Sequence, residues 1–156
     1  MSGLLDVYLQ DHHAGATAGL ELARRAARAN RAGPYGDELE AIASEIAEDV
    51  VALERLMDAI GVGRDRGKDA AAWLGEKLGR LKRNGTWVSY SPLSRLVELE
   101  GLVVGVTGKL ALWQALADAG LAIPGQPDLE QLAARARDQR DRLEALRRRA
   151  AHEALA

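Results

Sequence analysis

The sequence predicts an all-α protein: an antiparallel up-down four-helix bundle with an additional C-terminal helix. Apolar residues recur at helical spacing along most of the chain, and capping residues stand at the segment boundaries. The first connections are short, which makes neighbouring helices antiparallel. We predict one domain, in which residues 1–120 form the bundle and residues 121–156 form a C-terminal amphipathic helix.

The first two predicted helices are joined by a short turn. The first covers residues 3–30, with an apolar stripe along one side. The second follows a Pro-Tyr-Gly turn. Asp37 is its expected N-cap and Glu40 completes a capping box, while Gly61 is its expected C′ residue.

The next two predicted helices have clear boundaries as well. The third covers residues 66–83 and is ended by an Asn-Gly pair. The fourth begins at Ser91 and Pro92, because serine caps a helix and proline is tolerated at the first helical position. It extends to about residue 118. Since it is apolar over most of its circumference, we expect it to be the most buried helix.

The fifth predicted helix is capped by Asp128 with Gln131 and has heptad-like apolar spacing. Its apolar edge is narrow and is flanked by arginine and acidic residues, which favours a closed homodimer. The alternative, that this helix folds back on its own bundle, stays open, as does a different protein partner. The edge consists of Leu132, Ala136, Leu143 and Leu146.

Composition excludes several classes of function. The chain has no cysteine, which excludes a disulfide framework, a thiolate nucleophile and a cysteine metal site. Its net charge of -2 gives no argument for nucleic acid or a membrane. The N-terminus lacks a basic region followed by an apolar run, so we expect neither a secretory signal nor a membrane span. A cytoplasmic protein is expected.

Four predicted helices each carry one ionisable residue near the middle of an apolar face. A buried charge is costly unless it is paired, hydrogen-bonded or bound to a metal. On an up-down path with a rise of about 1.5 Å per residue, all four lie within roughly 10 Å along the bundle axis. In the fourth helix, the angular spacing of residues places Glu98 and Lys109 on the polar side, opposite Glu100. The layer consists of His12, Asp49, Lys77 and Glu100, with Glu45 beside Asp49.

Two interpretations of this layer stay open. In the structural one, Asp49 pairs with Lys77 and His12 pairs with Glu100, which fixes helix register and adds little net stability. In the functional one, His12, Asp49 and Glu100 bind a divalent metal, or act as acids and bases together with Glu45. No cofactor is predicted by the first interpretation, and a metal ion is predicted by the second.

Glycines also cluster in two predicted helices. Each costs a helix interior roughly 1 kcal/mol relative to alanine. Such small residues predict a close approach of the two helices, and a ligand groove is the alternative. They are Gly15 and Gly19 in the first helix and Gly101, Gly105 and Gly108 in the fourth.

The strings DHHAGATAGLEL and SPLSRLVELEGLVVGVTGKLALW carry a family resemblance over residues 3–118. Here the chain resembles the ferritin-like four-helix-bundle superfamily and looks like one of its small actinobacterial members. Di-iron members of that superfamily use two Glu-x-x-His pairs and two further inward glutamates. This chain has no Glu-x-x-His. Glu100 and, less closely, Glu45 or Asp49 match the carboxylate part of the pattern.

Two functions follow as expectations. The first is a non-catalytic helical bundle that self-associates or binds a protein partner and contains a buried polar layer. The second is a ferritin-like metal-binding protein or enzyme with a reduced histidine and carboxylate site in the bundle core.

Overall fold

The computed structural model describes residues 3–64, 89–125 and 127–156, and within these ranges the chain is all-α. The third predicted helix, residues 66–83 with Lys77, lies outside the described residues. None of the described helices is both long and apolar enough to cross a bilayer. The helices are α1 (Gly3–Ala29), α2 (Gly36–Ile60), α3 (Pro92–Asp118) and α4 (Leu129–Leu155).

Capping residues set three of the helix boundaries as predicted. The Ser91 hydroxyl accepts a hydrogen bond from the backbone N–H of Ser94 at 3.1 Å, and Pro92 begins α3. The Asp128 carboxylate caps α4 by accepting from the backbone N–H of its second residue. Gly61 ends α2 with φ of 76°, a left-handed conformation that glycine adopts without strain.

The start of α2 differs from the prediction. The helix begins at Gly36, and the preceding Tyr35 is already in a helical conformation and makes no side-chain capping hydrogen bond. Asp37 therefore lies inside the first turn, and the predicted capping box of Asp37 with Glu40 is wrong. The carboxylate still suits this position, because the N-terminal end of the helix dipole favours negative charge.

The described helices enclose one apolar core. α1 packs on α2 and on α3, and α3 packs on α4. Side-chain hydrogen bonds join α2 to α4, including one from Arg135 to Asp49 and one from Arg142 to Glu45. The core contains Leu9, Leu39, Ile42, Leu53, Met57, Leu99, Trp113 and Leu143.

The fifth predicted helix, α4, is a full member of this core and not an addition to it. Its pairing with α3 is the most extensive among the described helices. The apolar edge that the homodimer prediction needed is therefore covered within the chain. A narrow apolar edge is sufficient to anchor α4 because its alanines let α3 approach closely. The arginines beside that edge donate hydrogen bonds to carboxylates on α2. The buried residues of α4 include Leu132, Ala133, Ala136, Leu143 and Ala150.

The predicted orientation of α3 is wrong. Glu98 is 1% exposed, whereas Glu100 is exposed and Lys109 is largely buried. The helix has apolar side chains around most of its circumference, so its sequence periodicity does not define a single buried face. Packing against both α1 and α4 decides which side is covered. The covered residues include Leu96, Leu99, Leu102, Val106, Leu110 and Trp113.

Candidate functional site

A cavity of about 580 Å³ lies between α1, α2 and α3. Its volume falls within the range of roughly 300–1,000 Å³ that is typical of small-molecule sites. Most of the lining is apolar, which suits a ligand that is itself largely apolar. The lining side chains include Leu22, Ile46, Leu53, Leu102, Val106 and Trp113.

The clustered glycines border this cavity and do not bring the helices together. A Cβ atom on Gly101 would lie 3.0 Å from Leu22 Cδ2, so α1 and α3 are in contact at that level. At the other four positions a Cβ atom would meet no atom of the described residues within 4 Å. The prediction of close approach is therefore wrong for these four, and the alternative of a groove is supported. They are Gly15, Gly19, Gly105 and Gly108.

Three of the four predicted layer residues line the cavity: His12, Asp49 and Glu100. They do not form a set of metal ligands. Asp49 is 2% exposed, whereas Glu100 is exposed to solvent. In the part of the chain that the structure describes, no group of three or more histidine and acidic side chains is placed to hold a metal ion.

Asp49 is the centre of a buried ion network that joins three helices. Its carboxylate accepts hydrogen bonds from Lys109 Nζ at 2.5 Å, Arg135 Nε at 2.8 Å and Gln139 Nε2 at 3.0 Å. The prediction that Asp49 is buried and paired is confirmed, although its described partners are on α3 and α4, and the predicted Lys77 is outside the described residues. Because both oxygens are occupied, this carboxylate is not available as a metal ligand or a base.

The network continues to Glu45, which helical spacing places beside Asp49 on α2. Gln139 is fully buried and donates to Glu45 Oε2 at 3.2 Å, and Arg142 donates to the same oxygen at 2.5 Å. The sequence pattern did not indicate that Arg135, Gln139 and Arg142 belong to this network. One signal was present: Gln139 lies between Ala136 and Leu143 at helical spacing, on the apolar edge of α4.

His12 is half-buried and packs edge-on against Tyr8, with ring centroids 4.6 Å apart. Burial lowers the pKa of His12, and the nearby Asp11 opposes that effect. The imidazole of His12 is therefore mainly neutral at pH 7. The neighbouring residue His13 contacts Glu54 on α2, with its Nε2 3.0 Å from the carboxylate.

The predicted pair of His12 with Glu100 is wrong. Leu22 lies against Gly101, and His12 is ten residues from Leu22 along α1, or about 15 Å at 1.5 Å per residue. The two side chains therefore lie at different levels of the cavity. No ion pair joins them in the described structure.

Glu98, away from the cavity, has an unusual environment. Both carboxylate oxygens are buried and have no hydrogen-bond partner among the described residues, and Arg25 Nε lies 3.6 Å from one of them. Burial raises the pKa of Glu98, and Arg25 opposes that effect. A group whose pKa is raised on folding contributes stability below its unfolded pKa and loses that contribution as the pH rises through its folded pKa.

Replacing Glu98 with glutamine is expected to increase the free energy of unfolding at pH 7 by on the order of 1 kcal/mol, because it removes an incompletely paired buried charge. At pH 4 the two proteins should be almost equally stable, since the carboxyl is then largely neutral in both states. Urea melts at the two pH values measure this. Glu100→Gln, on an exposed side of the same helix, should change little at either pH. Equal effects of the two substitutions would contradict the orientation of α3.

Comparison of the chain with protein-family models, with curated proteins and with solved structures gives no significant match. The fold and the site define the class of this protein as an all-α helical bundle with an apolar cavity beside a buried ion network.

Proposed function

We propose that the chain is a non-catalytic helical-bundle protein that binds an apolar small molecule in the cavity between α1, α2 and α3. The observation that carries this proposal is the row of glycines along the cavity, four of which have no neighbouring atom of the described residues where a Cβ would lie. Glycine lowers helix stability by roughly 1 kcal/mol at each interior position. The glycines therefore make α1 and α3 less stable, and the absence of their side chains leaves the cavity space unfilled.

The state of the charged groups supports binding over reaction. A general acid or base must be free to reach its substrate. Here Asp49 accepts from Lys109, Arg135 and Gln139, and Glu45 accepts from Gln139 and Arg142. Such a network fixes the register of helices and adds little net stability. The same pairing does not fit a ferritin-like metal site, so no metal is included in the proposal.

The proposed arrangement is an antiparallel up-down bundle of the ferritin-like kind in a cytoplasmic protein. In its favour, α2 and α4 run in opposite directions: Asp49 on α2 pairs with Arg135 on α4, and the earlier residue Glu45 pairs with the later residue Arg142. Before α2, Tyr35 donates to Glu153 near the end of α4. A homodimer stays possible in this proposal only through a surface other than the apolar edge of α4.

Replacing Gly105 with leucine is expected to weaken binding of the apolar fluorophore N-phenyl-1-naphthylamine at least about tenfold, because the new side chain occupies cavity space. The same substitution should raise the free energy of unfolding by about 1 kcal/mol, since leucine is a better helix former than glycine. Fluorescence titration and urea melts measure the two effects. Opposite changes in binding and stability distinguish a filled cavity from a damaged fold.

Ala145→Leu is the matched control, because Ala145 is exposed on α4 and does not border the cavity. It should leave fluorophore binding unchanged. The proposal is wrong if the native protein does not bind the fluorophore, or if Gly105→Leu binds it as tightly as the native protein does.

A further inference from the structure

One residue of the cavity wall, His12, changes its charge under mild conditions. It borders the cavity, is half-buried and packs edge-on against Tyr8. No described residue makes a hydrogen bond or an ion pair with its imidazole, whereas the next residue, His13, contacts Glu54 on α2. Histidine is the side chain whose ordinary pKa lies between pH 5 and pH 8. Protonation of His12 therefore places a positive charge on the wall of an apolar cavity.

The glycine-bordered part of the cavity begins one helical turn from this ring. Gly15 is three residues beyond His12 on α1 and also borders the cavity, and residues at that spacing are neighbours on a helix surface. A ligand beside Gly15 therefore removes water from the exposed half of the imidazole. Loss of water disfavours the charged form of histidine and leaves the neutral form almost unaffected.

The other charged groups of the cavity do not compensate a charge on His12. Asp49 on α2 and Lys109 on α3 are bound to each other at 2.5 Å, so their charges largely cancel. Glu100 on α3 is exposed and lies at a different level of the cavity. Asp11 is next to His12 on α1, but it is exposed and solvent screens its charge. An imidazolium covered by an apolar ligand is therefore poorly compensated.

The sign of the pH effect follows from linkage. Burial lowers the pKa of His12, and Asp11 opposes that effect. A ligand that buries the ring further lowers the pKa again, so the liganded protein takes up a proton less readily than the unliganded protein does. Affinity is then highest where the ring is neutral in both states, and it falls as the pH drops through the pKa of the unliganded protein.

On the basis of the proposed function, we propose that His12 makes ligand binding dependent on pH. The cavity binds its apolar ligand when the imidazole is neutral, and protonation of the imidazole releases the ligand. His12 is thus a regulatory residue of the cavity wall, and mild acid is the signal for release.

Fluorescence titration of the full-length chain with N-phenyl-1-naphthylamine at pH 7.5 and pH 5.0 tests this proposal. The fluorophore suits the test because it is uncharged at both values. We expect its affinity to be at least about threefold lower at pH 5.0, because ligand and proton compete at His12. Circular dichroism at both pH values verifies that the helices are intact.

Two glutamine variants assign the effect to one ring. His12→Gln is neutral at both pH values, so its affinity for the fluorophore should be the same at pH 7.5 and pH 5.0. His13→Gln is the matched control, because His13 contacts Glu54 and does not border the cavity. This control should keep the pH dependence of the native protein.

Titration of the histidine rings by NMR measures the same coupling from the other side, in the native chain. Since linkage is reciprocal, saturating fluorophore should lower the pKa of His12 by about 0.5 or more, which corresponds to a threefold change in affinity. The pKa values of His13 and His152 should not change when the fluorophore binds. The two glutamine variants assign the resonances of His12 and His13.

Each outcome bears on one of the two proposals. If the native affinity is the same at both pH values, if the pH dependence persists in His12→Gln, or if the fluorophore leaves the pKa of His12 unchanged, the role of His12 is wrong. The proposed binding function then still stands, provided that Gly105→Leu weakens fluorophore binding at pH 7.5. If the native protein does not bind the fluorophore at pH 7.5, the binding function itself is wrong.

Discussion

Replacing Asp49 with alanine is expected to destabilise the protein by about 3–5 kcal/mol, because it leaves buried cationic and amide groups without their shared acceptor. Lys109, Arg135 and Gln139 all donate to this carboxylate, and Gln139 is fully buried. Urea melts at neutral pH measure the loss. The effect should be among the largest of any single substitution in the described core.

Glu48→Ala is the matched control for this experiment. Glu48 is one residue away on α2 and also contacts Arg135, but its side chain is 65% exposed. Exposed ion pairs contribute about 0–1 kcal/mol, so this substitution should change stability only slightly. A double variant, Asp49→Leu with Lys109→Leu, should recover part of the stability lost in Asp49→Ala, since it removes the unpaired buried ammonium while Gln139 and Arg135 still lack their shared acceptor. If the two single substitutions cost the same, Asp49 is not the centre of the network.

Replacing Leu143 with alanine is expected to cost about 2–5 kcal/mol, the usual range for a leucine removed from a packed core. Leu143 has no exposed surface and lies in the core that the helices form within one chain. Because its contacts are intramolecular, the native and variant unfolding midpoints should not depend on protein concentration. Thermal or urea melts over a hundredfold range of concentration measure both effects.

Leu155→Ala provides the comparison, since Leu155 is 72% exposed near the end of the same helix. It should change stability by no more than about 0.5 kcal/mol. If the midpoint rises with protein concentration and Leu143→Ala abolishes that rise, α4 contributes to an intermolecular interface and the intrachain assignment is wrong.

Local sequence signals determined most of the described helices. Capping residues act on the backbone immediately beside them, so Ser91, Pro92, Asp128 and Gly61 set boundaries that do not depend on the rest of the chain. The burial of Asp49 was also predictable, since it interrupts a clear apolar stripe on an amphipathic helix. The start of α2 was not, because backbone turn geometry before Asp37 replaced the expected side-chain cap.

Long-range packing decided the rest of the candidate site. The sequence of α3 is apolar on nearly every side, so only its contacts with α1 and α4 could bury Glu98 and leave Glu100 exposed. The partners of Asp49 come from residues 60 or more positions away, a choice that helical periodicity does not encode. For that reason Lys109 and Gln139 were absent from the predicted layer.

By itself, the sequence determined an all-α chain, the positions of its caps, the burial of Asp49 and the clustering of glycines on two helices. Only the tertiary structure decided what those glycines do. A glycine lacks a side chain in any context, and whether that permits contact, as at Gly101, or leaves space, as at Gly105, depends on the distance to the neighbouring helix. That distance is set by the packing of all the helices together.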